Sequence, residues 1–176
     1  MDVLHPKWTI GIEEEYMMID CKTGELSTTY TDKILKACRE ELKELVHPEF
    51  LQAQIEVSTN ICVTIKEARE QLQWLRRTIS TIASEYDVAP IASSTHPMAE
   101  WVHQKHTDAE RYHIFAHDMQ AVVRRLVISG MHIHVGIDND ELRIDLMNQI
   151  SYFLPHLLAL STSSPLWRGQ DTGLRC

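Results

Sequence analysis

The segment from Trp8 to Asp20 constrains the fold more than any other part of the sequence. Its apolar residues recur mainly at every second position, which is the period of a β-strand with one buried face. The same period places Glu13 and Glu15 side by side on the opposite face, with Glu14 among the apolar residues. Two neighbouring carboxylates repel each other unless a cation lies between them. The segment therefore predicts a strand whose polar face suits a divalent metal ion.

Two later segments show the same alternation and are also predicted as strands. In the segment 52–60, the apolar positions alternate with a polar set that includes Glu56. In the segment 127–137, His132 and His134 alternate with apolar residues that are expected to face a core, and glycines beside the histidines leave room for a ligand. These apolar residues are Met131, Ile133, Val135 and Ile137. Three strands with Glu or His on their polar faces predict one sheet that carries a metal-lined site.

The chain resembles the glutamate–cysteine ligase type 2 family, also called carboxylate-amine ligases, of the glutamine synthetase-like superfamily. The resemblance rests on four motifs in the family's order. They are Gly-Ile-Glu-Glu-Glu-Tyr at 11–16, Gln-Ile-Glu at 54–56, Ser-Gly-Met-His-Ile-His-Val-Gly at 129–136 and Ser-Ser-Pro-Leu-Trp-Arg-Gly-Gln-Asp-Thr-Gly at 163–173. Family members are longer, so the chain is expected to match only their N-terminal half.

The resemblance implies an α+β fold. A curved antiparallel sheet would hold the site on its concave face, helices would pack on its convex face, and the architecture would be incomplete in this chain. Residues 1–176 are expected to form a single domain, which corresponds to the N-terminal part of the family's catalytic domain. A partial sheet would expose an edge and apolar surface, and this predicts a homodimer or a larger assembly.

The resemblance also implies a reaction. ATP would phosphorylate a carboxylate such as the side chain of glutamate, and an amine such as cysteine would attack the acyl phosphate to form an amide. Mg²⁺ or Mn²⁺ would neutralise the phosphate charge, and no covalent protein nucleophile is required. No residue is assigned a catalytic role at this point, and the sequence does not identify the amine.

The resemblance further assigns binding roles to individual residues. The metal ligands that it implies are Glu13, Glu15, Glu56 and His132. The residues that it implies for nucleotide or anionic substrate are His134, Arg111 and Arg168. Arginine suits this role because its planar guanidinium binds a carboxylate or phosphate through two hydrogen bonds.

Each of these residues also has a plain structural interpretation. Glutamates on an edge strand face water and discourage aggregation, and histidines two positions apart can form cross-strand hydrogen bonds. Arg168 could form a surface salt bridge. Glu14 is interpreted as a buried, hydrogen-bonded structural residue, and the histidines of the segment 93–113 as parts of a solvated loop.

Composition limits the partners and the compartment. The net charge of -8 and the lack of a long basic patch argue against nucleic acid. The four cysteines have no paired spacing, which favours a reducing compartment over a disulfide framework. The sequence has no apolar run long enough for a membrane span and no secretory leader pattern, so we expect a cytoplasmic protein.

Two other functional classes stay open at this stage. The chain could be a non-catalytic metal-binding or nucleotide-binding remnant of the family, which production of ADP with glutamate and an amine would exclude. It could also be a metal-dependent hydrolase, which amide hydrolysis with metal and without ATP would favour.

The remaining pattern predicts helices and short strands between these segments. A capping box at Thr64–Glu67 marks the start of the strongest helix. Predicted helices cover 32–46, 64–86, 115–125 and the segment from 139 that bends at Pro155, and short strands cover 26–30 and 88–92.

Overall fold

The computed structural model describes residues 7–119 and 127–173. Its central element is the strand β1, Trp8–Asp20, as the alternation predicts. The other strands of the main sheet are β2 Val46–Pro48, β3 Gln54–Ser58, β4 Val88–Ile91 and β5 Met131–Ile137. All pairings are antiparallel: β3 lies on one edge of β1 with β2 outside it, while β4 and β5 follow one another along the other edge.

The second edge of β1 has a gap between β4 and β5. Pairing with β4 ends at Met17, opposite Ile91, and pairing with β5 begins at Glu14, opposite Met131. Between these points the chain leaves the sheet and returns, and a bridge between Thr95 and Ile128 closes the base of this excursion. The gap matters because the acidic motif of β1 lies beside it.

The described part of the chain contains five α-helices. They are α1 Thr31–Leu42, α2 Ile65–Ser84, α3 Glu110–Met119, α4 Asp140–Ile150 and α5 Leu154–Ser161. The start of α2 follows the predicted capping pattern. The Thr64 hydroxyl accepts a hydrogen bond from the Glu67 N–H at 3.1 Å, and the Glu67 carboxylate accepts one from the Val63 N–H at 2.9 Å.

The main core lies between the sheet and the helices α1 and α2. We call this side of β1 the back face; it carries Tyr16 and Met18, which are almost fully buried. The predicted apolar stripe of α2 packs here through residues such as Leu75 and Ile79, whereas Ile65 at its start is exposed. Truncation of a buried Leu or Ile to Ala costs about 2–5 kcal/mol, so this packing fixes α2 against β1.

The opposite side of β1, which we call the front face, has a smaller second core. Met17, Leu51 and Val127 are buried there, and Trp101 and Trp167 pack against them in part. The segment that follows β4 covers this end of the face. Trp167, from the fourth sequence motif, is therefore partly a packing residue of this second core.

The expected burial of the apolar face of β5 is wrong for this chain. Met131, Ile133 and Val135 are 46%, 64% and 52% exposed. The physical reason is that an open cavity of about 570 Å³ lies between α2 and β5, lined on one side by α2 residues such as Leu72 and on the other by Ile133 and Val135. The α4–α5 segment also exposes apolar side chains, which are Ile144, Met147, Ile150, Phe153, Leu154, Leu157, Leu158 and Leu160.

Several predicted boundaries differ from the structure. The first helix ends at Leu42 and gives way to a 3₁₀ turn and then to β2, a three-residue strand too short to produce a period in the sequence. The predicted strand 26–30 is reduced to one bridge between Leu26 and Ile19. The predicted helix 115–125 begins earlier, at Glu110, and its last part lies outside the described residues.

The structure also bears on the cysteines and on membrane-spanning helices. Cys21, Cys38 and Cys62 are free thiols, while Cys176 lies outside the described residues. Among residues 7–119 and 127–173, none of the helices has the length and apolar character needed to cross a membrane.

Candidate functional site

The pairing of β1 with β3 and β5 brings the predicted metal-binding residues onto the front face. Glu15 lies directly opposite Glu56, and Glu13 lies directly opposite His132. Residues opposite one another in an antiparallel pair point to the same side, so these four side chains share one surface. His134 lies on that surface as well, opposite Gly11.

Four carboxylates interact on this surface. Desolvation raises the pKa of Glu56 to about 7, and repulsion from Glu49, Glu13 and Glu15 adds to the effect. The pKa of Glu15 is also raised, first by desolvation, with further contributions from Glu49 and Glu13. Each additional negative charge costs free energy here, which is the condition under which a bound cation stabilises a site.

Both histidines of β5 contact Glu13. Its Oε2 lies 3.4 Å from Nδ1 of His132 and 3.2 Å from Nε2 of His134. Each histidine side chain is 61% exposed, so both rings can reach a ligand in the solvent-facing part of the site. The structure therefore brings both histidines to Glu13. It does not distinguish the predicted metal ligand, His132, from the predicted phosphate or substrate contact, His134.

Gly130 secures Glu15 at the gap in the sheet. The Gly130 N–H donates to Oε2 of Glu15 at 2.9 Å, and the Glu15 N–H donates to the Gly130 carbonyl at 3.0 Å. A Cβ at Gly130 would lie at ordinary contact distance, about 3.8–4.0 Å, from the side chains of Glu15 and His132. Gly136 makes room for the side chain of Thr9, because a Cβ at position 136 would lie 2.0 Å from Oγ1 of Thr9.

The donor set fits a hard divalent cation. Carboxylate oxygens predominate, and the raised pKa values of Glu15 and Glu56 reflect charge that lacks compensation. In the ranges 7–119 and 127–173, no group of three or more His, Cys, Asp or Glu side chains converges as a ready metal site. Binding of a cation would therefore require these side chains to reorient toward it.

Arg111 lies at the border of the carboxylate surface. Its guanidinium lies 4.3 Å from the ring centre of Tyr112, and it donates to the Tyr112 hydroxyl and to the Pro48 carbonyl at 3.4 Å. The pKa of Tyr112 is raised, mainly by desolvation and further by Glu49 and Glu56. Tyr112 and the adjoining Arg111 therefore lie near these carboxylates. Arg111 is exposed and can reach an anionic ligand from this position.

Arg168 lies in a different environment. It occupies the turn of a hairpin between β6, Leu166–Trp167, and β7, Gln170–Asp171, where its φ is +50° and that of Gly169 is +74°. Its Nη2 lies 3.2 Å from Oε1 of Glu100. The structure therefore shows the salt-bridge geometry for Arg168 and brings no front-face carboxylate into an ion pair with it among the described residues.

Glu14 takes the structural role that its position in the strand predicts. It lies on the back face, where it is 4% exposed and accepts hydrogen bonds from Arg76 and from the Tyr16 hydroxyl. The hydrogen bond to Glu14 is the main cause of a raised pKa at Arg76. The pKa of Tyr16 is also raised, mainly by desolvation and secondly by its contact with Glu14. Glu14 is thus separated from the front-face carboxylates by the sheet itself.

Sequence reasoning missed Glu49. This residue follows β2 directly, hydrogen-bonds to Glu56 and acts on Glu15, although no motif or period marks it. The only available signal was an acid close to the Glu56 strand in sequence. Recognition of Glu49 requires knowledge that β2 pairs with β3, which places His47 opposite Glu56.

A cavity of about 400 Å³ opens at the gap in the sheet beside Glu15. Serine residues line it together with Glu15, namely Ser93, Ser94, Ser129, Ser161 and Ser163. Some of their hydroxyls already bond within the protein: that of Ser129 accepts from the Gln54 side chain, and that of Ser161 donates to the Leu158 carbonyl.

The histidines of the 93–113 segment are not all members of a solvated loop. His96 is buried and structural: its Nε2 lies 2.8 Å from the Gly24 carbonyl, and its Nδ1 accepts from the Ala99 N–H at 2.9 Å. His106 lines a second cavity of about 560 Å³ and bonds to His113, which bonds in turn to Asp108. The solvated-loop interpretation is therefore wrong for His96.

Comparison with curated proteins gives relatives that carry the name glutamate–cysteine ligase 2 as a provisional assignment. The relative from Rhodospirillum rubrum is 52% identical over 174 residues, which is 97% of this chain and 45% of that protein. The relative from Jannaschia sp. is 50% identical over 167 residues, which is 95% of this chain and 44% of that protein. The chain thus spans less than half the length of these relatives.

Comparison with solved structures supports the fold. The glutamate–cysteine ligase from Francisella tularensis, crystallised with AMP, superposes with a TM-score of 0.62 at 17% identity, over 82% of this chain and 30% of that one. The bifunctional glutathione synthetase from Pasteurella multocida gives a TM-score of 0.60 at 14% identity, over 80% of this chain and 18% of that one. The predicted α+β class with an antiparallel sheet is confirmed.

The sequence itself identifies the family. The sequence model of glutamate-cysteine ligase family 2 (GCS2) matches residues 9–175, nearly the whole chain. The match includes all four motifs on which the resemblance rests, so the resemblance is confirmed. The chain belongs to glutamate-cysteine ligase family 2.

Proposed function

We propose that the chain forms the metal-binding and nucleotide-binding part of an ATP-dependent carboxylate-amine ligase. The reaction would activate a carboxylate such as glutamate as an acyl phosphate and transfer it to an amine such as cysteine. The observation that carries the proposal is the placement of Glu13, Glu15 and Glu56 on one face of the sheet, with Glu49 near enough to repel Glu15 and Glu56. Such an uncompensated cluster favours bound cations, and phosphoryl transfer from ATP depends on them.

The front-face residues would hold Mg²⁺ or Mn²⁺. Glu13, Glu15, Glu56 and His132 are the proposed ligands, and the geometry supports the addition of Glu49. When bound, these ions would supply positive charge to the phosphates of ATP. The carboxylates themselves would orient the ions, while Gly130 fixes Glu15 through its N–H.

Other residues would act on the anionic groups of the substrates. Arg111 is proposed to bind a carboxylate or phosphate from the border of the site, where its guanidinium is exposed. His134 is proposed to contact phosphate or substrate beside Glu13. Arg168 keeps its proposed role only if a ligand draws it away from Glu100, because the two side chains are paired.

Two classes compete with the ligase. A metal-binding remnant without activity is the second candidate, because the chain spans only 45% of its relative from R. rubrum. The hydrolase interpretation has no observation in its favour beyond the Glu and His cluster that all three candidates share.

The exposed apolar residues of β5 and the α4–α5 segment support a proposal of self-association into a homodimer or a larger assembly. A monodisperse monomer in light scattering at high protein concentration would contradict it. The proposed location is the cytoplasm, and free thiols at Cys21, Cys38 and Cys62 are consistent with a reducing compartment.

The decisive experiment is calorimetric titration of the purified chain with Mg²⁺ and a nonhydrolysable ATP analogue. We expect metal-dependent nucleotide binding in the wild type and its loss in the double variant Glu13→Gln/Glu15→Gln, because both changes remove proposed ligand charges. Glu25→Gln is the matched control, since Glu25 lies in an exposed turn outside the front face. It should bind as the wild type does.

The outcomes separate the candidate functions. Binding that survives in the double variant would place the nucleotide elsewhere and contradict the proposed site. Absence of binding in the wild type would contradict the proposed site and would mean that this part of the protein keeps the fold without the active site. Where binding is found, production of ADP with glutamate and a panel of amines distinguishes an active ligase from a binding module.

A further inference from the structure

We propose that Arg76, Glu14 and Tyr16 form a positioning network that holds Glu15 in place beside Gly130 from the opposite side of the sheet. The inference rests on the metal-binding part of the proposed function. It assigns a functional role to Arg76, a residue of α2 that no motif marks and that lies behind the carboxylate surface.

The need for such a network arises from the gap in the sheet. On the edge of β1 that β4 and β5 share, pairing with β4 stops at Met17 and pairing with β5 starts at Glu14. Between Glu14 and Met17, this edge of β1 is bonded through the Glu15 N–H, which donates to the Gly130 carbonyl at 3.0 Å. A proposed metal ligand therefore lies beside an interruption in one edge of β1, while the other edge of β1 is paired with β3 at this point.

The network supplies support from the back face at this same point. Arg76 Nε donates to Oε2 of Glu14 at 2.7 Å, its Nη2 donates to Oε1, and the Tyr16 hydroxyl donates to Oε2 as well. A two-pronged guanidinium–carboxylate pair fixes both the distance and the rotation of the carboxylate. The Glu14 side chain is only 5% exposed whereas that of Arg76 is 47% exposed, so the carboxylate end of the pair is the one shielded from water.

The network rests on a rigid part of the fold. Arg76 follows Leu75 on α2, and Leu75 and Ile79 are fully buried in the main core. Helix α2 thus acts as the fixed element against which β1 is held. Arg76 is the connection between the two at the position of the gap.

The connection to the front face is covalent. Glu14 lies between Glu13 and Glu15, and successive side chains of a strand point to opposite faces. Peptide planes are rigid, so a slide or twist of β1 that displaces Glu14 also displaces Glu15. Glu15 would then lose its 2.9 Å hydrogen bond from the Gly130 N–H.

The test compares variants of the network in the purified chain. The main variant is Arg76→Met/Glu14→Gln, which removes the ion pair without leaving a buried carboxylate unpaired and so preserves folding. Arg76→Lys keeps the charge and loses the two-pronged geometry. Arg77→Met is the matched control, because Arg77 is the exposed neighbour on the same helix.

A second control separates positioning from stability. Ile79→Val shortens a fully buried side chain of α2 and lowers the melting temperature without touching the network. A loss of function that merely follows stability would appear in this variant too.

Two readouts are measured for every variant. The first is the Mn²⁺ dissociation constant from calorimetry. We expect about a 10-fold increase for Arg76→Met/Glu14→Gln, which is typical for loss of a contact outside the ligand shell, and a smaller increase for Arg76→Lys. The second is the chemical shift of the Gly130 amide in metal-free protein, which should move in the same variants and stay constant in both controls.

The inference is overturned if the main variant folds, binds Mn²⁺ within twofold of the wild type and leaves the Gly130 amide unshifted. It is also overturned if Ile79→Val produces the same changes. If the wild type binds no Mn²⁺, the proposed function fails, and the Gly130 amide still decides the positioning role by moving or not moving in metal-free protein.

Discussion

The two faces of β1 place the same residue type in opposite environments. Glu14 lies on the back face, where it is 4% exposed and paired with Arg76. Glu13 and Glu15 lie on the front face with other carboxylates, and within the described residues no Lys or Arg forms an ion pair with them. Alternation along one strand alone produces this separation.

The difference shows that charge on the back face contributes to the fold, whereas charge on the front face opposes it. A buried carboxylate with a bidentate arginine has its ionised form fully compensated. A cluster of carboxylates without cations does not, and such clusters persist mainly where function needs them.

The largest effect is expected from Glu14→Ala. This change leaves the buried Tyr16 hydroxyl without its acceptor and removes the partner of Arg76, which is 47% exposed and can be solvated, so the free energy of unfolding should fall by about 2–3 kcal/mol. Urea denaturation followed by circular dichroism measures it. The same change at Glu13 should alter the unfolding free energy of metal-free protein by less than about 0.5 kcal/mol.

Comparable losses at Glu14 and Glu13 would contradict the comparison of the two faces. Glu14→Gln helps to separate shape from charge, because the amide can still accept from Arg76 and should lose less stability than Glu14→Ala.

The sequence predicted this contrast because β1 is long. Thirteen residues with a clear period leave little doubt about which side chains share a face. The pairings of Glu15 with Glu56 and of Glu13 with His132 depend in addition on the strand register, which the structure supplies. The capping box likewise fixed the start of α2, since that signal depends only on neighbouring residues.

The parts that sequence could not predict depend on contacts between distant segments. Strand β2 has three residues and no period, so Glu49 was missed although it belongs to the carboxylate cluster. The gap beside Glu15 results from where β4 ends and β5 begins. The exposure of Ile133 depends on the space left between α2 and β5, which no local pattern reveals.

A smaller effect is expected from pH. The pKa of Glu56 is raised to about 7 in the folded chain from an ordinary value of 4.5, so ionisation of this group disfavours the fold. Its stabilising contribution is complete below pH 4.5 and is lost as the pH rises through 7. Because Glu56 is half-buried, we expect a loss of about 1 kcal/mol between pH 5 and pH 8, well below the full value of the shift.

Glu56→Gln is the variant that isolates this effect. It should remove most of the loss, measured as the difference in unfolding free energy between the two pH values. Mg²⁺ at pH 8 should stabilise the wild type more than it stabilises Glu56→Gln. The reason is that the cation compensates the negative charge of Glu56, which is present only in the wild type. An equal pH dependence in both proteins would assign the effect to other groups.

The smallest effect is expected on the exposed face of β5. Ile133→Val and Ile55→Val are chemically identical changes on strands of the same sheet, yet Ile133 is 64% exposed and Ile55 is fully buried. Ile55→Val should lower the unfolding free energy by about 1 kcal/mol through lost packing, and Ile133→Val by less than about 0.5 kcal/mol. Urea denaturation is measured at a concentration where light scattering gives a monomer. A cost at Ile133 that matches Ile55 and rises with protein concentration would mean that this face is buried in an assembly, because only a partner molecule supplies the contacts that α2 does not make with this face.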